Sequence, residues 1–368
     1  MPPDAPRDHG RRAVLWTRHA RQPLLEAAAR LARLDVVGVG SPERGRSQQL
    51  AAAFDAEPLD DLRSALVTAD ADLLLLADAG DFGATASPDD ADAAATAHER
   101  GLRIVTLEPV PAAALYLGGP AGAGWMRGHA GARPIDAIFP APLLRHAPAF
   151  RALHDVLPTF GEPRALSIIL RSRPEESSLP AALFAAADLL LSLVGEPESL
   201  HAIHTPPAAG RPASSGPGET LRSLEGHLVA NARFDDGRAA ALLVSDHAAA
   251  YAREILLLGE AGQLRITDDG WTWLGSDGKA IDEHRVPAAD APAAAAVLAD
   301  ALNRLLDPAI PNPAPIDHAT VLSTAQAALL SARTRQPESP ATLRRLAQRR
   351  RPAEHGRAAT ARGLGRSS

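Results

Sequence analysis

The chain has 368 residues, of which 46% are hydrophobic and 22% charged, and its net charge is −6. These proportions are typical of a globular protein of two ordinary domains. The absence of cysteine excludes disulfides, thiolate zinc sites and iron–sulfur clusters, and no other metal site is predicted. No apolar run approaches the ~20 residues of a membrane span, and the stretch after Arg11 and Arg12 is too short for a signal peptide. The acidic balance argues against nucleic acid as the main partner, so a cytoplasmic protein without a membrane partner is expected.

The first third of the chain alternates short apolar runs with helical segments. Runs typical of buried strands cover 13–16, 36–39, 73–77 and 104–107, and helical spacing covers 23–33, 48–54, 61–68 and 89–100. Strands that alternate with helices indicate an α/β domain with a parallel, doubly wound sheet. We therefore expect a disordered end at 1–11 and a Rossmann-like N-terminal domain over 12–120.

The pattern changes after a glycine- and alanine-rich connector at 118–131. Predicted strands follow one another at 164–171, 226–234, 238–245, 254–258, 262–267, 271–274 and 281–286, and predicted helices cover 146–157, 179–194, 291–306 and 316–332. Strands separated by Asp-Gly turns predict an antiparallel meander, on which the last two helices are expected to pack. The C-terminal domain, 121–336, is therefore predicted to be α+β with a large, mostly antiparallel open sheet.

The last segment, 337–368, is rich in arginine from Thr342 onward, and Glu354 is the only acid after that point. Such a tail can contact nucleic-acid phosphates. Its composition is also that of a solvated, partly disordered end, which is the interpretation that the sequence favours.

Three stretches in this order resemble the glucose–fructose oxidoreductase and inositol dehydrogenase (Gfo/Idh/MocA) family. The family's second strand, two helices and fourth strand are similar to VVGVGSPERGRSQQLAAAF followed by DDLRSALVTADADLLLLAD. Its strand ending in Glu-Lys-Pro is similar to GLRIVTLEPVP. The helix of its second domain is similar to ADLLLSLVGEPESLHAIH. The resemblance covers about 12–336 and implies an NAD- or NADP-binding Rossmann domain. It also implies a second domain whose open sheet serves in substrate binding and in pairing of subunits. The chemistry it implies is hydride transfer on sugar- or cyclitol-like alcohols.

The phosphate loop departs from what a dinucleotide site needs. Glycines after the first strand normally let the backbone approach the pyrophosphate at a helix N-terminus. Here the loop positions are Trp16, Thr17, Arg18 and His19, followed by Ala20 and Arg21, without a glycine. Trp16 and Arg18 are expected to place bulk where glycine is required, although the basic side chains could attract an anion.

Two further cofactor positions also differ. The acid that normally bonds the ribose hydroxyls is replaced by Ser41, with Arg44 nearby, a pair that suits a 2′-phosphate or is an ordinary Ser-Pro helix cap. Where the family has Thr-Pro after the fourth strand, this chain has Asp78 and Ala79. A carboxylate at that point would repel a pyrophosphate.

The family's catalytic lysine has no counterpart. Alignment on Pro109 places Glu108 at the lysine position, and a glutamate cannot supply positive charge to a developing alkoxide. The only lysine of the chain, Lys279, lies in a predicted turn of the meander. Glu108 is nevertheless retained as a candidate catalytic position.

The helix of the second domain keeps one of the three family positions. Counting back from Gly195 places Asp188 at the last acid of the family pattern, whereas Ala185 stands at the histidine and Ala181 at the first acid. The two alanines leave no general base there. Asp188 is either a substrate ligand or a buried acid bonded to the backbone or to an arginine.

Three functions remain open from the sequence. The first is an oxidoreductase-like protein with weakened or lost catalysis that binds a small molecule. The second is a working enzyme with rebuilt chemistry, in which His19, His146, His154 and Glu108 supply proton transfer. The third is a non-catalytic protein that pairs subunits through the C-terminal sheet, as a homo-oligomer.

Overall fold

The chain forms two domains, and the first is built on a six-stranded parallel sheet. A computed structural model describes residues 11–85, 87–117, 123–126, 133–207, 220–310 and 316–349. The sheet has the order β3-β2-β1-β4-β5-β6, with β1 Arg11–Trp16, β2 Leu34–Gly40, β3 Glu57–Leu59, β4 Leu73–Leu76, β5 Arg103–Thr106 and β6 Ile138–Pro140. All of its pairs are parallel, so the Rossmann-like prediction is confirmed.

Helices cover both faces of this sheet: α1 Gln22–Ala32, α2 Ser47–Phe54, α3 Leu62–Thr68 and α4 Pro88–Glu99. The leucines of β4 alternate between the two faces, because successive strand side chains point in opposite directions. Leu73 and Leu75 join the core beneath α1 and α2, whereas Leu74 and Leu76 join the core beneath α3 and α4. The continuous apolar run of β4 is therefore the result of burial on both faces.

The first domain draws on chain segments beyond the predicted range 12–120. Strand β6 extends its sheet to residue 140. Helix α9, Ala293–Leu306, was predicted to pack on the meander and instead packs on α1. Leu298 and Leu302 of α9 share a core with Leu25 and Ala28. The prediction failed because the apolar stripe of α9 indicates burial without indicating the partner.

The second domain is an eight-stranded sheet in the order β14-β13-β12-β11-β7-β10-β9-β8. Its strands are β7 Ala165–Arg171, β8 Ser199–Thr205, β9 His227–Arg233, β10 Ala239–Ser245, β11 Ala252–Gly259, β12 Gly262–Thr267, β13 Gly270–Leu274 and β14 Ala280–Arg285. Every pair is antiparallel except β7 with β10. The predicted mostly antiparallel sheet is confirmed, and β8 is a strand that the sequence analysis did not identify.

The described helices of the second domain include α8 Leu179–Leu193 and α10 His318–Thr334, which pack together, and α10 also packs against β8. The single helix predicted over 146–157 is wrong: a 3₁₀ turn is followed by α6 Pro148–Arg151 and α7 Leu157–Phe160, because a proline stands at the first turn of each. A further short helix is α5 Ala123–Met126. The rest of the predicted connector at 118–131 lies outside the described residues.

The arginine-rich end begins with a helix, which corrects the prediction of a disordered tail for its first part. Helix α11, Pro340–Arg349, packs on α10, and Arg344 forms an ion pair of 2.8 Å with Glu196. The tail beyond residue 349 and the predicted disordered end at 1–10 lie outside the described residues. Within the part that the structure describes, no helix is both long and apolar enough to cross a bilayer.

One face of the eight-stranded sheet is open. Ile203, Val229, Leu243 and Ile169 are register neighbours across β8, β9, β10 and β7 and lie on the face opposite to α8 and α10. Ile203 is 64% exposed and Val229 42% exposed. We call these four residues the apolar row.

Candidate functional site

The loop between β1 and α1 lies at the switch point of the first sheet. The strand β1 is flanked by β2 on one side and β4 on the other, and in doubly wound folds the ligand crevice opens at the carboxyl ends of strands at such a point. The loop therefore faces the residues that follow β2, β4 and β5. Each of these strands is followed by a carboxylate that reaches the loop.

The first carboxylate is Asp78, which follows β4. Its Oδ2 lies 2.6 Å from the Nε of Arg18, and its Oδ1 accepts the backbone N–H of Gly80 at 2.9 Å. The Asp78 side chain is buried, whereas that of Arg18 is 55% exposed. The positive charge of Arg18 is therefore paired within the chain, and its occupation of the phosphate position stays a prediction.

The second carboxylate is Glu43, which follows β2. Its Oε2 accepts the backbone N–H of His19 at 3.0 Å, and its own N–H donates to Ser41 Oγ at 3.1 Å. Ser41 therefore shapes the turn that aims Glu43 at the loop, while Arg44 is exposed. A backbone N–H that opens a helix is the kind of donor that binds phosphate, and here an internal carboxylate occupies it.

The third carboxylate is Glu108, which follows β5. Its Oε1 lies 3.2 Å from Nη2 of Arg21, and both side chains are buried. Arg21 also donates to the carbonyl of Ala77. The residue at the family's lysine position is therefore the partner of an arginine from the phosphate loop.

Trp16 and Thr17 do not line the crevice in the way the sequence suggested. The Trp16 ring lies over Gly40, where a Cβ would overlap it, and Trp16 shares a core with Leu74 and Leu76. Thr17 is fully buried, and its N–H donates to the carbonyl of Gly40 at 3.0 Å. The prediction that Trp16 occupies the phosphate position is corrected: its side chain belongs to the core, because alternation along β1 turns it towards α3.

These contacts do not fit a dinucleotide. The donors that a pyrophosphate would need at this loop are already hydrogen-bonded or ion-paired to Glu43, Asp78 and Glu108. These carboxylates would also repel it, because like charges at about 4 Å repel by roughly 1 kcal/mol in water and by several kcal/mol near a protein surface. No glycine permits a closer approach of the backbone. Arg18, the backbone N–H of His19 and Arg21 are instead each paired with a carboxylate of the same chain.

An arginine from the second domain closes the same edge. Arg222, in a 3₁₀ turn at Leu221–Ser223, donates from Nη1 to the carbonyl of Gly80 at 2.7 Å and from Nη2 to that of Pro109 at 3.3 Å. Burial lowers the pKa of Arg222, and the carboxylates of Glu108 and Asp78 oppose this effect. The guanidinium links the loops after β4 and β5 to the second domain.

A cavity of about 70 Å³ lies between the domains. Glu108, Ala181, Ala185 and Tyr251 are among the residues that line it, so the two helix positions that carry an acid and a histidine in the family do face the same space as Glu108. Sites for drug-sized ligands measure about 300–1,000 Å³. The cavity as it stands is therefore small for such a ligand.

The polar side of this cavity is held by a buried arginine. Arg253, which also lines the cavity, donates from Nε to Asp268 at 2.7 Å, and its guanidinium lies 5.7 Å from the ring centroid of Tyr251. Burial raises the pKa of Tyr251 to about 12. Tyr251 is therefore a neutral hydrogen-bonding group at neutral pH.

Asp188 does not reach the cavity. Its Oδ2 lies 2.9 Å from Nε of Arg145, and the Asp188 side chain is 6% exposed. Burial raises the pKa of Asp188 to about 6, against the effect of Arg145. Of the two roles left open for Asp188, the structure places it as a buried acid bonded to an arginine.

The remaining titratable candidates lie apart from the crevice. His146 is partly buried, and burial with the charges of Arg145 and Arg304 lowers its pKa to about 4. His154 is exposed beside Asp155. Lys279 lies in the turn between β13 and β14 and pairs with Asp277 at 3.2 Å. Among the described residues, no group of three histidine, aspartate or glutamate side chains is arranged to hold a metal ion.

Sequence reasoning placed Arg21 in the phosphate loop without its partner, and did not identify Arg145 or Arg222. Arg21, Arg145 and Arg222 come from three separate segments, and nothing in their local pattern marks them. The sequence gives only one indirect signal. Acids follow the inner strands, and an acid that is buried there requires a cation close by.

The arrangement is that of a two-domain dehydrogenase fold, in which a Rossmann-like sheet is followed by a large open sheet. No protein-family model matches the sequence, and no curated protein is similar to it. Solved structures do share the fold. A levoglucosan dehydrogenase in complex with NADH and levoglucosan superposes with a TM-score of 0.63 at 13% identity, over 90% of this chain and 99% of that one.

Two further structures extend the likeness. The WlbA dehydrogenase from Bordetella pertussis, in complex with NADH and UDP-GlcNAcA, has a TM-score of 0.58 at 18% identity over 90% of this chain and 98% of that one. A myo-inositol dehydrogenase from Corynebacterium glutamicum has a TM-score of 0.57 at 16% identity over the same shares. These are dehydrogenases of the Gfo/Idh/MocA type, so the resemblance predicted from the sequence is confirmed at the level of the fold.

Proposed function

We propose that this chain is an oxidoreductase-like protein of the Gfo/Idh/MocA type whose hydride transfer on sugar- or cyclitol-like alcohols is weakened or lost. The observation that carries the proposal is the pairing of the phosphate-loop donors. Arg18, the N–H of His19 and Arg21 are each engaged by a carboxylate of the same chain. NAD or NADP, the cofactor implied by the resemblance, would have to displace these contacts to bind.

The composition of the cavity wall also supports weakened catalysis. Glu108 stands where the family has its lysine, and Ala181 and Ala185 provide neither a charge nor an imidazole. Proton transfer to or from an alcohol needs a positioned acid or base near its working pH. The carboxylate of Glu108 is paired with Arg21 at 3.2 Å, so it is already engaged by another side chain of the same chain.

The direct test is a titration of the purified protein with NADH and NADPH, in which nicotinamide fluorescence reports binding. We expect no saturable binding up to millimolar cofactor, and no turnover of sugars or cyclitols. Saturable binding at micromolar cofactor, followed by turnover of any such alcohol, would show that the chemistry has been rebuilt and would refute the proposal. In that outcome Glu108 and Tyr251 are the first groups to substitute.

Two non-catalytic roles are compatible with this fold. The cavity between the domains supports binding of a small molecule, and Tyr251 is among the residues that line it. The apolar row supports pairing of two copies of the chain through the open sheet, because exposed contiguous apolar surface marks interaction sites. A homo-oligomer is therefore part of the proposal. The cytoplasmic location, and the absence of membrane and nucleic-acid partners, stay predictions from the sequence.

A further inference from the structure

A pair of histidines lies at the end of β9 and β10, away from the crevice and the cavity. His227 begins β9, and His247 follows the end of β10 by two residues. Their ring centroids are 6.5 Å apart, with an angle of 73° between the ring planes. Both residues are exposed. The pair is therefore accessible from solvent.

The ring of His247 is fixed by a buried carboxylate. Its Nδ1 lies 2.8 Å from Oδ1 of Asp246, whose side chain is 5% exposed. Asp246 also accepts the backbone N–H groups of Gly226 at 2.7 Å and Leu179 at 3.0 Å, so its position is set by two other segments. Because a carboxylate only accepts here, neutral His247 carries its proton on Nδ1 and keeps the lone pair on Nε2.

The ring of His227 is held in a similar way by Ser245. The Nδ1 of His227 lies 2.8 Å from Ser245 Oγ, which also accepts the backbone N–H of His247 at 3.1 Å. In the tautomer that donates from Nδ1 to this hydroxyl, Nε2 of His227 is a lone-pair donor as well. Imidazoles whose other nitrogen is hydrogen-bonded to an oxygen are the usual form of metal-binding histidine.

We propose that His227 and His247 together form a two-imidazole site for a divalent transition metal such as Zn²⁺ or Ni²⁺. Imidazole nitrogen is a preferred ligand of these ions. A metal about 2.0–2.1 Å from each Nε2 places two ring centroids about 5–6 Å apart, slightly closer than the 6.5 Å in this structure, so binding requires the two rings to move towards each other. The remaining coordination positions would face solvent, and would take water or a small ligand. The site goes beyond the proposed function, since it uses none of the residues of the crevice.

The test is calorimetric titration of the full-length protein with ZnCl₂, and separately with NiCl₂, in a buffer that does not chelate. We expect one saturable equivalent in the wild type. H227Q and H247Q should each weaken this binding by more than about tenfold, since loss even of a hydrogen-bonding partner of a ligand costs 10- to 100-fold.

The matched control is H154Q. His154 is also exposed, and its Nδ1 lies 3.4 Å from the carboxylate of Asp155, but within the described part of the chain no second imidazole packs against its ring. Binding unchanged in H154Q supports the pair as the site. The proposal fails if the wild type shows no saturable binding up to about millimolar metal, or if H154Q loses as much affinity as H227Q. Circular dichroism of each variant shows whether it is folded. If H247Q is not folded, the metal affinity of H227Q alone tests the proposal.

Discussion

Asp188 and Arg145 form an ion pair of 2.9 Å that is almost completely shielded from water. The pair joins α8 to the 3₁₀ turn at Leu144–His146, and thus fixes the helix whose alanines line the cavity. Burial raises the pKa of Asp188 to about 6 despite this partner. The last acid of the family pattern is therefore one partner of a buried ion pair in this chain.

Loss of one partner of this pair should be costly. R145A leaves the Asp188 carboxylate buried without a cation, and the free energy of unfolding should fall by about 3–5 kcal/mol. The double variant R145M/D188L, which removes both charges and keeps the volume, should lie within a few kcal/mol of the wild type on either side. Urea denaturation measures both. The exposed arginine in R265A, which pairs with Glu254 at 2.9 Å, is the control and should change stability by less than about 1 kcal/mol.

Removal of internal carboxylates should open the phosphate loop. In E43Q/D78N the N–H of His19 and the guanidinium of Arg18 lose their anionic partners, so the loop gains two free donors for an anion. We expect ADP and NADH to bind at least about tenfold more tightly than to the wild type, which corresponds to about 1.4 kcal/mol. Equilibrium fluorescence and calorimetry report the change.

The control for this loop experiment is E260Q, which removes an exposed carboxylate that pairs with Arg164 at 3.3 Å. It should leave nucleotide affinity unchanged. Equal affinity of E43Q/D78N and the wild type for ADP would mean that the carboxylates do not block the loop. E43Q alone provides the same comparison if the loss of Asp78 disturbs folding.

Acid should destabilise the protein partly through His318. The ring lies next to Phe184, and its buried Nδ1 has no hydrogen-bond partner among the residues that the structure describes. Burial lowers the pKa of His318 to about 4 from 6.5. As the pH falls from 6.5 to 4, the unfolded chain takes up a proton that the folded chain does not, so the free energy of unfolding decreases, by up to about 3 kcal/mol from this group.

The variant H318Q should be less sensitive to acid than the wild type over this range of pH. Comparison of the two proteins cancels Asp188, whose raised pKa acts in the opposite direction between pH 4 and 6. Chemical denaturation at pH 7, 6, 5 and 4 gives the two curves. Parallel curves would show that His318 does not titrate differently in the folded and unfolded states.

Charge on the apolar row should separate subunits. V229E places a carboxylate within the apolar row, between Ile203 and Leu243, and desolvation of a charge in an interface is unfavourable. We expect the wild type to be at least a dimer by light scattering after size exclusion, and V229E to be a monomer at the same concentration. L346E is the matched control, since Leu346 is 55% exposed on α11, away from the row. A monomeric wild type would contradict the proposed pairing.

Much of the architecture could be predicted from the sequence because it rests on local patterns. The leucines of β4 are buried on both faces, and a run of this kind has few alternatives in a soluble α/β domain. The strands β9 and β10 alternate clearly and are joined by an Asp-Gly turn. By contrast, β3 is only three residues long and contains Pro58, so its pattern is too short to be distinguished from a loop.

The candidate site could be predicted only in part. The substitutions at Glu108, Ala181 and Ala185 follow from counting along motifs, and the structure places all three around one cavity. The partners of the acids could not be predicted, because Arg21, Arg145 and Arg222 are brought to them by tertiary contacts. The side chain of Trp16 was predicted in the wrong place. The face of the sheet on which it lies depends on where β1 ends, and the composition of the loop does not indicate this.

The return of α9 to α1 determines how the polypeptide can be divided. A version that stops after residue 140 would contain every strand of the six-stranded sheet and yet expose Leu24, Leu25 and Ala28, which α9 covers in the whole chain. Such a fragment would expose a contiguous apolar surface and would therefore be prone to aggregate. A fragment designed to contain the first domain alone should therefore include residues 293–306, joined by a linker to the N-terminal part of the chain.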